Sequence, residues 1–405
     1  ISEENTRFCG VVTKIDGRLA LIPDVCPHVP ILIKKSADGG ARVGEKAAVE
    51  ILERGEAHGD HRAGVAMRFG SADVAAHCAK ALLYSVGISR HFPATVKEEA
   101  KAYENVKLKE KDWKDRRDLR DWPIFTIDSA STKDIDDAIS VSRTEAGYML
   151  GVHIADVSHY VRSGSALDKE ALNRGTSVYY ADSVVPMLPR QLSNGICSLN
   201  EGEDRLAFSC LMHLDVEGSV VDYEFCKTVI HSRVKGVYSE VNALLDGTAD
   251  NVLKVRYAHV AEELLLMQEI YAKLAAQRLH RGAMDIESDE AKILVDESGR
   301  CVGVEKRTRG VAECMIEEFM LLANTCAARF AREQELPFVY RVHAQPEPER
   351  VDALKKALLA MGVDAHFSGE MPTVKELAAL LDATRGTSLE RAVHTNVLRS
   401  MAKAK

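Results

Sequence analysis

The stretch 126–138, TIDSASTKDIDDA, places Asp128, Asp134, Asp136 and Asp137 within ten residues. Carboxylates this close repel one another. Keeping all four ionised in a cleft is costly unless a cation sits among them. An oxygen-only donor set selects a hard ion, Mg²⁺ or Mn²⁺. The EF-hand pattern is not met, because no Gly stands at the sixth loop position and no Glu at the twelfth. Three readings follow: metal-assisted phosphoryl chemistry, a structural calcium site, or a solvated acidic loop. Ile124, Phe125, Ile127 and Ile135 interleave the acids and argue against a loop lying wholly in water. Asp128 is expected to end a strand, with the turn 134–137 facing it across a short loop.

Two further stretches carry reactive or stacking side chains. In 151–161, GVHIADVSHYV, the trio His153, Asp156 and His159 is compatible with a metal set. The alternation of Val152, Ile154 and Val157 favours a strand and turn in which the histidines are structural. In 174–189, RGTSVYYADSVVPMLP, Tyr179 and Tyr180 lie between an Arg-Gly turn and a proline-rich segment. A tyrosine held out by a stiff loop is a stacking platform for a nucleobase. The competing reading is a pair of core tyrosines.

Residues 7–70 read as five short strands, separated by Asp16-Gly17, by Asp38-Gly39-Gly40 and by His58-Gly59-Asp60. That number of strands in so short a span suits an OB-like barrel or another small five-stranded sheet. Ser71 is expected to cap a helix carrying Val74, Cys78, Ala81 and Leu82 on one face and ended by Gly87. The stretch 92–118 reads as a helical, highly charged, solvated connector. From Trp122 the pattern is mixed α/β. Strands are expected at 123–128, 137–143, 147–155, 205–216 and 219–231. One long helix is expected over 251–280, closed by Gly282. A second, over 310–335, aligns Val311, Met315, Phe319, Leu322 and Cys326. A third opens at Pro346 and Pro348 and closes at Gly362. Helical spacing recurs at Val393, Val397 and Met401. The fold class is α+β.

Composition narrows the function classes. The 405 residues are 46% hydrophobic and 28% charged, as in ordinary globular chains, which excludes a disordered or collagen-like one. A net charge of −8 excludes a surface coated in basic residues but leaves room for a local basic channel. The nine cysteines are scattered, with no CxxC pair, so neither a disulfide framework nor a cysteine zinc site is indicated. A reducing, cytoplasmic location is expected. No apolar run approaches the ~18 residues of a membrane span, so no membrane partner is expected. The chain opens at Ile1 and closes on a helical pattern with no stop signal, so a fragment or a processed chain is expected.

The stretches RRDLRDWPIFTIDSASTKDIDDAISV, GVHIADVSHYV, RGTSVYYADSVVPMLPRQLSNGICSLN, LHRGAMDIE and AECMIEEFMLLAN, with LRSMAKAK at the end, resemble the RNB family of exoribonucleases, which includes RNase II and RNase R. The likeness runs over about 116–405 in order and spacing, and the RGTSVYY loop is closer to RNase R. It implies residues 1–70 as an OB-fold, cold-shock-like RNA-binding domain and 71–120 as a helical linker. It implies 121–405 as a mixed α/β RNB catalytic domain lacking its C-terminal part.

The implied activity is metal-dependent 3′→5′ hydrolysis of single-stranded RNA, processive, releasing nucleoside 5′-monophosphates. Asp128, Asp134, Asp136 and Asp137 match the family residues that hold Mg²⁺ (Mn²⁺ as an alternative) and position water, with Asp136 indispensable. Tyr179 matches the base-stacking tyrosine, and Glu317 and Glu318 a helix carboxylate pair on the RNA side. Ile286 follows Asp285 where some members carry an aromatic. Family members continue into a segment with a phosphate-binding arginine and an S1 domain. No protein partner is implied. The alternative is a non-catalytic RNA-binding or regulatory relative, or an inactive fragment.

Overall fold

The computed structural model describes residues 6–55, 60–180, 183–284, 291–306, 308–365 and 367–405. His58, Gly59, Asp285 and Ile286, named above, lie outside the described residues, as does the side chain of Tyr180. The chain divides into two compact units. One comprises Ile1–Tyr103, Val161–Gln191 and Glu290–Arg307. The other comprises Glu104–Tyr160, Leu192–Asp289 and Thr308–Lys405.

The first unit contains an OB-like barrel. Strands β1 (Arg7–Ile15), β2 (Arg18–Pro23), β3 (Ile31–Ile33), β4 (Glu45–Glu53) and β5 (Arg62–Ser71) close in the order β1-β2-β3-β5-β4. Alternate residues turn inward, so Val12, Leu21, Ile31, Ile33, Ala47 and Val49 fill the interior. Asp16 (φ 49°) and Gly17 (φ 77°) make the two-residue turn that joins Ile15 to Arg18. Both positions need positive φ there, which Asp and Gly tolerate. Helices α1 (Ala75–Ser85), α2 (Ala94–Lys101) and α5 (Ala166–Arg174) follow in this unit. So do the hairpins β10 (Val178–Tyr180) with β11 (Ser183–Val185), and β15 (Ala291–Val295) with β16 (Cys301–Lys306). The expected cap at Ser71 is not formed. Ser71 is drawn into β5 by pairing with Glu45, and α1 starts after Val74 without a side-chain cap.

The second unit is built on a five-stranded sheet, order β6-β13-β12-β9-β8. Its strands are β6 (Arg117–Asp118), β8 (Asp137–Thr144), β9 (Gly147–Ala155), β12 (Asp204–Asp215) and β13 (Val220–His231). The short strands β7 (Thr126–Asp128) and β14 (Lys235–Val237) pair in parallel beside it. One face carries Ile139, Val141, Leu150, Val152, Cys210 and Met212. These pack on α8 (Ala261–His280) and α9 (Val311–Glu333) through Leu264, Met267, Ile270, Met315 and Phe319. Each large side chain buried there contributes about 1.5–3 kcal/mol. The opposite face gathers Leu119, Ile124, Ile135, Ala138, Leu199 and Leu211. The remaining helices are α3 (Glu110–Trp113), α4 (Val157–Tyr160), α6 (Tyr238–Leu245), α7 (Asn251–Arg256), α10 (Pro348–Ala360), α11 (Val374–Thr384) and α12 (Glu390–Ser400). The last three share a core of Leu354, Leu358, Leu377, Leu381, Val393 and Val397. Among the described residues, no helix is long and apolar enough to cross a membrane.

Three expected helices differ. The stretch 92–118 is broken into α2, α3 and β6, because Arg117 and Asp118 pair in parallel with Thr228 and Val229. The long helix over 251–280 is split into α7 and α8 at Tyr257. That residue is fully buried. Its hydroxyl accepts from Val237 N–H (3.0 Å) and donates to Glu240 Oε2 (2.6 Å), which redirects the chain. The C-terminal helix ends at Ser400 rather than running through Met401, and Val342 and Lys405 exchange two backbone hydrogen bonds.

Candidate active site

The four aspartates sit where β7 stops and β8 starts. Asp128 is the last residue of β7, and Asp137 is the first of β8. Phe125 and Ile139 exchange two backbone hydrogen bonds (3.1 and 2.9 Å), which fixes the two strands side by side. The intervening loop is pinned from two directions. Ser198 Oγ accepts from Ile135 N–H (3.1 Å) and donates to Lys133 O (2.9 Å), while Leu199 N–H donates to Ile135 O (2.9 Å). Ala155 N–H, from the end of β9, donates to Asp136 O (2.9 Å). On the other flank β14 runs beside β7, and Lys235 Nζ donates to Thr132 O (2.6 Å). Gly236 is required for this approach. A Cβ there would lie 2.5 Å from Thr126 O.

Electrostatics mark the set as short of positive charge. Burial, then the neighbouring Asp137, push the Asp128 carboxyl up to about 7, with Lys235 opposing. Burial and Asp136 push Asp137 up to about 6. Asp136 stays open to solvent, yet the protein packed around it, and Asp134, still raise its carboxyl. Asp128 Oδ2 is buried with no hydrogen-bond partner. An oxygen-only set with an orphaned buried oxygen and three carboxyls of raised proton affinity fits a hard divalent cation. Among the described residues, no three His, Cys, Asp or Glu side chains already stand gathered as ligands.

The trio in 151–161 is divided among structural tasks. His153 is fully buried, with Nε2 2.9 Å from Ser140 Oγ and Nδ1 2.8 Å from Ser209 Oγ, which in turn lies 2.7 Å from Thr228 Oγ1. Burial holds its pKa down to about 3, so the ring is neutral. Gly151 leaves room for this chain, since a Cβ would lie 2.4 Å from Ser140 Oγ. Asp156 forms a buried ion pair with Arg116 (2.6 Å). Burial opposes its ionisation, but hydrogen bonds from Arg116 and Ser158 hold its carboxyl below the ordinary range. His159 Nδ1 lies 3.2 Å from Arg116 Nη2.

The remaining expected residues stand on other elements. Glu317 and Glu318, adjacent on α9, point apart. Glu317 is exposed and pairs with Arg309, while Glu318 is buried and lies 3.3 Å from Arg278. Tyr179 belongs to the first unit, on β10, and is 64% exposed, which is not the environment of a core tyrosine. Lys235 and Ser198 are site residues that the sequence reading missed. β14 is only three residues long and shows no period, and Ser198 acts through contacts about 65 positions away.

Comparison with known proteins places this architecture. The RNB domain family matches residues 116–405. Ribonuclease R of Thermotoga maritima is 46% identical over 315 residues, covering 77% of this chain and 44% of that protein, so the chain spans under half the length of that relative. Mycoplasma genitalium RNase R, solved in complex with ribose-methylated single-stranded RNA, superposes with a TM-score of 0.86 at 25% identity, over 100% of this chain and 63% of that one. Yeast Ssd1, described as a pseudonuclease, shares the fold at 15% identity and a TM-score of 0.71, over 100% of this chain and 50% of its own. With the family match spanning most of its length and the barrel and sheet in place, the chain belongs to the RNB family.

Proposed function

We propose that this chain supplies the catalytic centre of a 3′→5′ exoribonuclease that hydrolyses single-stranded RNA processively to nucleoside 5′-monophosphates. Family membership alone does not decide the matter, since a pseudonuclease shares the fold. The observation that carries the reading is the quartet Asp128, Asp134, Asp136 and Asp137, intact, borne by a segment whose backbone Ser198 and Lys235 pin, with Asp128 Oδ2 buried and unpartnered. These carboxylates would hold Mg²⁺, or Mn²⁺ in its place, which supplies Lewis-acid stabilisation of charge on the phosphate. Asp136, open to solvent, orients the attacking water through its carboxylate. Burial around Asp128 and Asp137 excludes bulk water and strengthens each charge interaction.

Tyr179, exposed on β10, supplies a sequence-tolerant stacking face. Of the carboxylates Glu317 and Glu318, the exposed Glu317 is carried over to the RNA side, while Glu318 is buried beside Arg278 and serves the packing of α9. The barrel within 1–70 is assigned to RNA binding, 71–120 to a linker and 121–405 to the catalytic domain. A reducing cytoplasm is the proposed location of the chain.

The test is a 5′-labelled single-stranded RNA incubated with the intact protein that carries this chain, with and without Mg²⁺. Shortening from the 3′ end, with mononucleotide release only when metal is added, is expected. Tight RNA binding with no shortening in Mg²⁺ or Mn²⁺ would establish the non-catalytic alternative instead.

A further inference from the structure

Arg174 ends α5, and Gly175 after it (φ 70°) turns the chain toward the hairpin β10–β11. Its guanidinium reaches four separate groups. Nε donates to Glu170 Oε1 (2.8 Å), Nη1 to Pro186 O (3.2 Å) and Nη2 to His91 O (2.9 Å), and Cζ lies 3.9 Å from the centre of the Phe92 ring. The side chain is only 9% exposed. Pro186 directly follows β11, so the fork ties the exit of the hairpin to its entry and fastens both to the segment between α1 and α2. Met187 N–H adds a bond across the same feet, to Ser177 Oγ (2.9 Å). A two-stranded hairpin is marginal by itself, so its direction is set at its feet.

We infer that Arg174 is a positioning residue for RNA binding: it orients the hairpin so that Tyr179 presents its ring to a base. This rests on the stacking role proposed for Tyr179. The chemistry calls for arginine in particular. A planar fork with five donors serves two carbonyls and a carboxylate at once while lying on a ring, and the point charge of lysine does not. Ordering Tyr179 before RNA arrives removes an entropic cost from binding.

The test measures binding of a short single-stranded RNA carrying 2-aminopurine at successive positions, in EDTA so that nothing is hydrolysed. Stacking is read from quenching and affinity from titration. Tyr179→Ala is expected to weaken binding roughly fivefold to a hundredfold and to abolish quenching at one position. Arg174→Gln is expected to weaken it about two- to twelvefold, the cost of immobilising one large side chain, with partial loss of quenching at that same position. Arg174→Lys restores little. Phe92→Leu, which keeps the hydrogen bonds, gives a milder loss of the same pattern.

The deciding measurement is the double variant. In the Tyr179→Ala background, Arg174→Gln should change nothing further. An equal loss in both backgrounds would mean that Arg174 acts on the fold at large and would overturn the assignment. A loss from Tyr179→Ala with none from Arg174→Gln or Phe92→Leu would overturn the clamp alone. No loss from Tyr179→Ala would remove the stacking reading, and the clamp with it.

Discussion

At the scale of single residues, the four aspartates are not equivalent. Asp128 and Asp137 are held between packed strands, whereas Asp136 faces solvent with its backbone carbonyl fixed by Ala155 N–H. Asp136→Asn removes a charge without changing volume. It is expected to abolish turnover while leaving the affinity for single-stranded RNA within about twofold, since the charge serves the metal and the attacking water and not the binding of RNA, so that kcat falls selectively. Cleavage by that variant at the wild-type rate would show that the charge has no part in the chemistry.

His153 allows a second prediction at this scale. Its folded pKa is depressed to about 3, below the ordinary value of about 6.5. As pH falls through about 6.5 the unfolded chain takes up a proton that the folded chain refuses. The folded state therefore loses up to about 1.4 kcal/mol per pH unit until the folded pKa is reached. The raised carboxyls of Asp128 and Asp137 act in the opposite sense over an overlapping range, so only a difference isolates the histidine. The destabilisation caused by His153→Gln should be largest near about pH 7.5 and shrink toward about pH 5, measured by urea unfolding. A pH-independent difference would contradict a neutral buried ring.

At the scale of elements, the site depends on segments far apart in sequence. Ser198→Ala leaves the Ile135 N–H without its side-chain partner inside the protein, which costs about 1–3 kcal/mol of stability. The loop carrying Asp134 and Asp136 should loosen with it. Urea unfolding and Mg²⁺ titration of the same variant should therefore show losses together. A loss of stability with unchanged Mg²⁺ affinity would mean that the latch does not shape the site.

The same scale explains what sequence could and could not reveal. The quartet was legible because all four acids lie within ten residues of sequence, from the end of β7 to the start of β8. β8, β9, β12 and β13 were legible because alternate residues face two different apolar layers, Ile139 and Val141 on one and Ala138 on the other. Tyr257 was not, since helical spacing continues past it and only its hydroxyl bonds to Val237 and Glu240 reveal the bend. Ser71 followed local capping chemistry until strand pairing with Glu45 overrode it. Lys235 owes its role to Thr132, and Arg174 its role to His91, Phe92 and Pro186, partners that no local pattern indicates.

At the scale of the whole molecule, a net charge of −8 makes gathering a polyanion unfavourable except where cationic or metal-bearing surface is concentrated. The carboxylate quartet adds to that repulsion, so the folded protein should be stabilised by a divalent ion that binds it and not the unfolded chain. Mass action sets the size: about 2.7 kcal/mol when the free ion is at a hundred times its Kd. A highly negative protein also gains from any added salt through general screening, and the two effects must be separated. Thermal unfolding in rising Mg²⁺, against K⁺ at equal ionic strength, should show a Tm that climbs further with Mg²⁺. Asp136→Asn should blunt that excess. Glu297→Gln, an exposed acid on the turn between β15 and β16, removes the same formal charge elsewhere and should leave the excess intact. Equal blunting by both variants would mean that Mg²⁺ acts on the net charge of the molecule and that the quartet is not its site.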